Sequence, residues 1–336
     1  MITFFDSKSE RGGGQVVLEH LLGMITDRAS TSLVMPSQGQ SKIAVPHGVK
    51  PYDDATAFLG AATDIPHVLV SNANSAMPEV MAAARKLRRR GLHVRTVAIV
   101  HNYPSTIAYK AATAFYLKQF DIAIVVEPGL LRLRSDAIVP SWLSLHAPLS
   151  TSADFEAKRI DRTGVVKSYG RPDKEKGLHH LAPIFESLTR SGVRCEVALG
   201  SGFAGDRKYA AFLRERLAPW LVDGRRTSDW IHPGDIFVIP SLMEAACLTA
   251  QEAMSKGAFV VATRVGLMTY LSPTSEGVRT FAVGDTKSAT NLIKDALDLN
   301  AAEFGDECLA AVAAIEHRAG RWHRDTVDTL IRQLRM

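Results

Sequence analysis

Two glutamates, Glu244 and Glu252, are separated by seven residues in the segment DIFVIPSLMEAACLTAQEAMSKGAFVVATRVG. The pattern predicts a strand, a turn at Pro240, a helix from about Thr249 that stops at Gly257, and a second strand. Glu244 is then in the loop after the strand, where open α/β sheets bind ligands, and Glu252 is in the first turn of the helix. A carboxylate there can accept hydrogen bonds from both hydroxyls of a ribose.

Each glutamate also has a structural interpretation. Thr249-Ala-Gln-Glu252 matches a capping box, in which the glutamate accepts a hydrogen bond from the backbone amide of Thr249. Glu244 can equally be a solvated loop residue. Spacing alone leaves both alternatives open.

A second segment, VVKSYGRPDKEKGLHHLAPIFESL, has a strand that ends at Gly170 and a helix that starts after Gly177. The loop between them holds three cations, Arg171, Lys174 and Lys176. Cations beside a helix N-terminus oppose the helix dipole, so the cluster favours an anion such as a diphosphate bound between them. The alternative is an exposed loop in which Asp173 and Glu175 neutralise the lysines.

Glycines and one histidine mark two further candidate positions. Gly12, Gly13 and Gly14 join the first predicted strand to the first helix, and their backbone amides can approach a phosphate or sugar closely. A tight turn without a ligand also explains them, since no P-loop Gly-Lys-Ser/Thr follows. His101 follows a buried-type strand and so lies at the edge where ligands gather, although a lone histidine is more often structural.

A literal GxGxxG is formed by Gly200, Gly202 and Gly205, with Asp223 at the distance expected for a dinucleotide-binding dehydrogenase. Such fingerprints normally open a domain after its first strand, whereas here a strand and a helix precede it. NAD binding therefore remains the weaker interpretation. Neither the histidine pairs nor the three cysteines have metal-ligand spacing, so we predict no metal site.

Short apolar, β-branched runs alternate with helical segments along most of the chain. In order they are ITFF, SLVMP, HVLVS, VRTVAIV and DIAIVV, then TGVVKSY, CEVALG, DIFVIP, AFVVAT and VRTFAV. Continuous apolar strands separated by helices indicate parallel sheets covered on both faces. The two series predict an α/β chain with two doubly wound, Rossmann-like domains.

The break between the two series falls in residues 145–163, where apolar periodicity lapses. We predict an N-terminal domain of residues 1–152, a C-terminal domain of residues 153–318, and a C-terminal helix of residues 319–336. One face of that helix is apolar, which predicts that it packs back toward the N-terminal domain. The apolar face consists of Trp322, Val327, Leu330, Ile331 and Leu334.

Composition is ordinary for a globular protein, with 336 residues, 46% hydrophobic and 22% charged. The net charge of +5 favours anionic partners, and it is concentrated in one cluster at the end of a predicted helix that begins near Pro78. The cluster consists of Arg85, Lys86, Arg88, Arg89 and Arg90. These cations either complement the helix dipole and stay solvated, or contact anionic lipid headgroups. The opening residues lack the features of a signal peptide, and no apolar run of about 18 residues occurs, so we expect a cytoplasmic protein.

Taken in order, these segments resemble the retaining GT-B glycosyltransferases of family 4, within the glycosyl transferases group 1, which carry an E-x7-E motif. The resemblance covers most of the chain, from the Gly13-Gly14 turn to VVATRVG. It implies a GT-B fold, in which the two domains face a central cleft. It also implies a donor-binding set, Gly13, Gly14, Gly170, Leu248, Thr249 and Glu252, and a catalytic set, Arg171, Lys176, Glu244 and His101.

By this resemblance Glu252 would hold the nucleotide ribose and Glu244 would sit at the donor sugar. Arg171 and Lys176 would neutralise the diphosphate leaving group. His101 would lie near the transferring sugar, and the Gly13-Gly14 turn would touch the diphosphate or the acceptor.

The sequence departs from the family pattern at three places. After Glu244 the family usually has Gly-Phe-Gly-Leu, whereas residues 245–248 are Ala, Ala, Cys and Leu. The usual His-Asp is His101-Asn102, and the usual Gly-Gly-x-x-Glu is GLMTY at residues 266–270. The first difference removes flexible backbone from the part of the loop that meets the donor sugar.

The implied activity is transfer of a hexose from a UDP-, GDP- or ADP-sugar to a glycan or lipid-linked acceptor, with retention, in bacterial polysaccharide or glycolipid synthesis. No metal or cofactor is expected, since Arg171, Lys176 and a helix N-terminus can stabilise charge on the leaving diphosphate. We expect no nucleic-acid partner, and peripheral contact with the inner membrane surface through the Arg85–Arg90 cluster. The alternatives are a catalytically silent GT-B homologue acting as a binding or scaffold protein, and a nucleotide-sugar epimerase or phosphorylase on the same fold.

Overall fold

The computed structural model describes residues 1–7, 13–40, 43–101, 106–126, 128–137, 160–200, 207–222, 230–271, 277–318 and 321–336. Contacts within the chain divide it into two compact units, Met1–His146 with Ala319–Met336, and Ala147–Arg318. The predicted domain boundary at residue 152 lies outside the described residues. So do Gly12, Asn102, Gly202, Gly205 and Asp223.

The N-terminal unit contains a six-stranded sheet. Its strands are β1 Ile2–Phe5, β2 Thr31–Val34, β3 Lys50–Tyr52, β4 His67–Ser71, β5 Val94–Val100 and β6 Ile122–Val125. Their order is β3-β2-β1-β4-β5-β6, and neighbouring strands are parallel. The helices of this unit are α1 Gly13–Ile25, α2 Ser37–Gln40, α3 Ala55–Ala61, α4 Met77–Arg89, α5 Ile107–Leu117 and, from the end of the chain, α11 Arg321–Arg335.

The C-terminal unit contains a five-stranded parallel sheet in the order β11-β10-β9-β7-β8. Its strands are β7 Val165–Gly170, β8 Arg194–Leu199, β9 Ile236–Ile239, β10 Phe259–Thr263 and β11 Val278–Phe281. Its helices are α6 Leu181–Arg190, α7 Arg207–Arg216, α8 Leu248–Ser255, α9 Thr286–Asp298 and α10 Ala301–Arg318. The predicted fold class, two doubly wound units with parallel sheets, is confirmed.

Apolar residues explain both the strands and the helices that cover them. Every residue of β4 is buried, as a strand covered on both faces requires. In α6 the buried residues Leu181, Ile184, Phe185 and Leu188 recur at helical spacing and join the core of the C-terminal unit. Each such side chain contributes about 1.5–3 kcal/mol through burial.

The sequence analysis missed the strand β3, and it predicted the C-terminal helix α11. β3 is three residues long, contains Pro51, and has no buried residue, so it carries no apolar run. The C-terminal helix α11 packs within the N-terminal unit against α1, with Val327, Leu330 and Ile331 buried.

Each sheet has a topological switch point, a pair of adjacent strands whose following connections run toward opposite edges of the sheet. In the N-terminal unit the switch lies between β1 and β4, and in the C-terminal unit between β7 and β9. Ligands of open α/β sheets bind at the carboxyl ends of the strands at such points. The loops after these four strands are therefore where each unit is expected to bind ligands.

Candidate functional site

The two loops at the switch point of the C-terminal unit are bonded to each other. One follows β7 and the other follows β9. The backbone carbonyl of Glu175 accepts hydrogen bonds from the amides of Leu242, at 2.8 Å, and Met243, at 3.3 Å. Gly177 has φ +60°, and a Cβ at this position would overlap the carbonyl oxygen of Pro240. Glycine is therefore required where the β7 loop crosses the β9 loop.

This crossing brings two of the predicted catalytic residues together. Lys176 Nζ lies 2.6 Å from Glu244 Oε1, and the hydroxyl of Ser241 donates to the same oxygen at 2.9 Å. The side chains of Lys176 and Glu244 are 23% and 12% exposed. Ser241 is held in turn because its carbonyl accepts from the Thr263 hydroxyl at 2.6 Å. We call Lys176, Glu244 and Ser241 the lysine–glutamate cluster.

Arg171, the first residue after β7, forms an ion pair with Asp173 at 3.1 Å. Asp173 was considered above as a partner of the lysines, and the structure shows that it pairs with the arginine, while Lys176 pairs with Glu244 of the other loop. Both cations thus have carboxylate partners within the protein. An incoming diphosphate would compete with those carboxylates.

The start of α8 corrects two predictions. The N-cap residue is Cys247, so Thr249 is the second residue of the helix and the capping-box alternative is wrong. Glu252 is the fifth residue, one position beyond the first turn in which it was placed, and its side chain is half-buried. Leu248 and Thr249 supply the first two backbone amides of the helix, which have no partner inside the helix itself.

The thiol of Cys247 lies among the ionisable residues of this site. Burial raises its pKa, the carboxylates of Glu244 and Glu252 add to the increase, and Lys176 opposes it. The predicted ribose-binding Glu252 thus acts on the same thiol as two members of the lysine–glutamate cluster.

Two other glycines fix the backbone around the cluster. Gly266 has φ +53°, and a Cβ there would overlap the carbonyl oxygens of Glu244 and Ala245. The amide of Leu267 donates to Ala245 O at 2.8 Å, which holds the β9 loop against the turn after β10. A Cβ at Gly170, a predicted donor-binding residue, would lie 3.2 Å from Leu178 Cδ2, so this glycine also serves packing.

A second polar cluster lies at the switch point of the N-terminal unit. His101 Nε2 is 3.0 Å from Asn72 Oδ1, and Asn72 Nδ2 donates to Asp6 Oδ2 at 2.7 Å and to Gly14 O at 3.2 Å. Gln15 Nε2 also donates to Asp6 Oδ2, at 3.0 Å. Asp6, Asn72 and His101 are 2%, 1% and 9% exposed. Burial lowers the pKa of His101 to about 4.

The N-terminal cluster places His101 against the predicted glycine turn. Gly13 and Gly14 open α1, and a Cβ built on Gly14 would lie 3.6 Å from Cδ2 of the His101 ring, an ordinary contact distance. Among the described residues, no atom lies closer than ordinary contact distance to a side chain at Gly14, so their packing does not by itself require glycine there.

Four polar residues of these clusters were missed in the sequence: Asp6, Asn72, Ser241 and Gln15. Asp6 and Asn72 are the first residues after β1 and β4, as His101 is after β5 and Arg171 after β7. A polar residue directly after a buried strand is the signal that could have identified Asp6 and Asn72. Ser241 follows β9 by two residues, and Gln15 carries no comparable signal.

The basic cluster at the end of α4 divides into two groups. Arg88 donates to Val94 O at 2.9 Å and pairs with Asp121 at 3.0 Å, and Arg90 donates to two carbonyl groups near the end of α3. These two arginines join neighbouring elements of the unit. The other three cations, Arg85, Lys86 and Arg89, are exposed. No helix of the described residues is long and apolar enough to cross a membrane.

Residues 164–299 match the family model of the glycosyl transferases group 1. This range includes both loops of the lysine–glutamate cluster, and it covers the part of the sequence in which the paired glutamates lie. A comparison with curated protein sequences finds no match.

Solved structures resemble the whole chain. Anabaena Alr3699/HepE in complex with UDP and glucose has a TM-score of 0.72 at 16% identity, over 99% of this chain and 98% of that one. Sucrose-phosphate synthase from Thermosynechococcus elongatus has a TM-score of 0.71 at 16% identity, with the same coverage. An α,α-trehalose-phosphate synthase (UDP-forming) from Burkholderia vietnamiensis has a TM-score of 0.71 at 12% identity, over 98% of this chain and 99% of that one. The family match over residues 164–299 and this likeness in fold together support a glycosyltransferase of the GT-B type.

Proposed function

We propose that the protein transfers a hexose from a nucleoside-diphosphate sugar to a glycan or lipid-linked acceptor, with retention of anomeric configuration. The observation that carries the proposal is the lysine–glutamate cluster at the switch point of the C-terminal unit, beside the first turn of α8. UDP is the first nucleotide to test, because Alr3699/HepE, a structural neighbour, was solved with UDP and glucose.

The chemistry of such a transfer requires positive charge at the leaving group. As the glycosidic bond breaks, negative charge grows on the diphosphate oxygen, and fixed cations and helix amides stabilise it without a metal. Lys176 and Arg171 come from the β7 loop, and the amides of Leu248 and Thr249 come from the start of α8. On diphosphate binding, Lys176 would exchange Glu244 for a phosphate oxygen, and Glu244 would be released to accept hydrogen bonds from the sugar.

Retention follows in this proposal from attack on the face that the diphosphate leaves, through an oxocarbenium-like state in which the diphosphate accepts the acceptor's proton. NMR of the product identifies the anomeric configuration directly. An inverted anomer would contradict this mechanism and leave the transferase assignment intact.

The donor site is tested by thermal stabilisation with UDP, GDP and ADP. A nucleotide at about 100 times its dissociation constant adds roughly 2.7 kcal/mol to the stability of the folded state. We expect one nucleotide to produce this shift in the wild type and to lose it in Glu252→Ala, because the variant lacks the ribose-binding carboxylate. No shift with any of the three would support the scaffold alternative.

Turnover separates the enzyme from its alternatives. Lys176→Ala should lose most sugar transfer and remain folded with a lower melting temperature, because it removes the cation beside Glu244, which is 12% exposed, while the Ser241 hydroxyl still donates to that carboxylate. Lys287→Ala is the matched control, because it removes one cation from an exposed position of the same unit. Interconversion of donor sugars without acceptor would identify an epimerase.

For the acceptor we propose a lipid-linked molecule reached from the cytoplasmic face of the membrane. Support comes from the three exposed cations of α4, Arg85, Lys86 and Arg89, each worth about 1 kcal/mol at an anionic surface. Changing all three to glutamine should abolish sedimentation with liposomes containing anionic lipid and leave the melting temperature unchanged. Equal sedimentation of variant and wild type would remove the basis for a membrane-bound acceptor.

A further inference from the structure

The helix α5 has large apolar side chains on its outer side. Ile107 is 89% exposed and Phe115 is 63% exposed, whereas the polar residue Thr113 is buried. A surface helix of a globular protein normally shows the opposite arrangement, with apolar residues inside and polar residues outside. The inversion indicates that the outer side of α5 contacts something other than water.

The exposed apolar residues of α5 form one continuous surface. At 3.6 residues per turn they fall within less than half of the helix circumference, and every one of them is exposed. We call them the α5 apolar surface, which consists of Ile107, Ala108, Ala111, Ala112 and Phe115. Two exposed cations, Lys110 and Lys118, lie beside it, and no acidic residue occurs in positions 107–120.

The neighbouring helix α4 adds positive charge on the same side of the sheet. β4, β5 and β6 follow one another across the sheet, and right-handed crossovers place both connecting helices, α4 and α5, on one face. The two helices contact each other. Their solvent-exposed residues therefore point away from the same face of the sheet, and on α4 these include Arg85, Lys86 and Arg89.

We propose that the α5 apolar surface docks on an anionic lipid bilayer, with its side chains in the boundary between headgroups and acyl chains. Apolar side chains beside cations match such a bilayer, because the cations are attracted to the anionic headgroups while the apolar residues leave water. A second copy of this chain is a poorer partner, since a symmetric contact would bring the same cations together. The inference deepens the proposed function, on which it rests for the lipid-linked acceptor, and names the helix that enters the bilayer.

Sedimentation with vesicles measures this docking. We expect the wild type to sediment with vesicles of equal parts phosphatidylglycerol and phosphatidylcholine, and less with phosphatidylcholine alone. The double variant Ile107→Ser/Phe115→Ser should bind the anionic vesicles at least about tenfold more weakly, because full burial of one such side chain favours binding by about ten- to a hundredfold. Phe212→Ser is the matched control, since Phe212 is 48% exposed on α7 of the other unit, and it should bind like the wild type.

A fluorescent label detects entry of α5 into the bilayer without relying on the double variant. The three native cysteines are buried, so Phe115→Cys provides one exposed thiol for an environment-sensitive dye. We expect the dye emission to shift to shorter wavelength on anionic vesicles, and to be quenched by lipids that carry bromine on the acyl chain. The same dye on Lys287→Cys, at an exposed position of the other unit, should show neither change.

Three results would overturn the proposal. The first is equal vesicle affinity of the wild type and the double variant, or dye emission at position 115 that vesicles do not change. The second is emission already at shorter wavelength in buffer, because another part of the chain would then cover α5. The third is a wild-type dimer that the double variant converts to a monomer, without binding of either to vesicles.

The donor site is tested separately by thermal stabilisation with nucleotides, which does not involve α5. Absence of nucleotide binding together with entry of α5 into vesicles would contradict the proposed sugar transfer and leave the docking surface intact. Nucleotide binding without entry of α5 would refute the docking surface alone.

Discussion

Replacing Cys247 by glycine should relieve strain at the start of α8. Cys247 has φ 47° and ψ 59°, and it is the only residue other than glycine with positive φ among the described residues. A residue with a Cβ costs about 1–2 kcal/mol in this conformation, whereas glycine adopts it freely. The family that the sequence resembles usually has glycine here.

The free energy of this strain is measured by comparing two variants, because the comparison separates the strain from the loss of the buried thiol. Cys247→Ala removes the thiol and keeps the strain, and Cys247→Gly removes both. Glycine carries an entropic disadvantage of about 0.5–1 kcal/mol relative to alanine, which is smaller than the strain. We therefore expect Cys247→Gly to be more stable than Cys247→Ala by about 0.5–1 kcal/mol, or a few degrees in melting temperature.

Thermal and urea unfolding of the two variants measure this difference. The matched control is Ala250→Gly, a buried position inside the same helix, which should lose about 1 kcal/mol in the usual direction. If Cys247→Gly were less stable than Cys247→Ala by an amount similar to the control, the left-handed backbone at Cys247 would be refuted.

Three other perturbations test the loops and the buried histidine. Gly177→Ala should destabilise the fold by about 2 kcal/mol or more, because its Cβ would overlap Pro240 O in a left-handed backbone. The control Gly23→Ala should not destabilise α1, because no described atom lies within 4 Å of its Cβ. Urea unfolding compares the stabilities of the two variants. Gly14→Ala should keep or raise the melting temperature, since no described atom lies closer than 3.6 Å to its Cβ. It should lower sugar transfer if a ligand contacts this turn, and equal kcat and KM would refute that contact. The pKa of His101 falls from 6.5 to about 4 on folding, so between these pH values only the unfolded chain binds this proton. The free energy of unfolding should therefore decrease by about 3 kcal/mol on acidification from pH 6.5 to 4. In His101→Gln this decrease should be smaller by the same amount.

The sequence predicted the strands of both sheets other than β3 from their mainly apolar, β-branched runs, because a strand covered on both faces is rich in such residues. β3 was missed for the converse reason, since Lys50, Pro51 and Tyr52 lie at the sheet edge and none is buried. The Thr249-Ala-Gln-Glu252 pattern was ambiguous because capping depends on where the helix begins. That position was set by the left-handed backbone of Cys247, which no residue type indicates.

Contacts between loops could not be predicted from the sequence, because they depend on the order of the strands in the sheet. Lys176 and Glu244 are 68 residues apart, and they meet only because β7 and β9 are neighbours in the sheet. The sequence predicted that Lys176 and Glu244 each lie in a loop after a strand. It did not predict that the two strands are neighbours in the sheet. The same holds for Asp6 and Asn72, which follow the paired strands β1 and β4.

The charges of the lysine–glutamate cluster restrict the kind of ligand that it can bind. Lys176 and Arg171 each have a carboxylate partner, so positive charge alone does not select a diphosphate as the ligand. A ligand that displaces such a carboxylate from its cation must also donate hydrogen bonds to it. A sugar bearing hydroxyl donors beside a diphosphate does both, because its hydroxyls can donate to Glu244 while its phosphate oxygens accept from Lys176. A nucleoside diphosphate leaves as an anion and needs cations more than it needs a proton, so the cations of the C-terminal unit suit a sugar nucleotide better than a donor whose leaving group must be protonated.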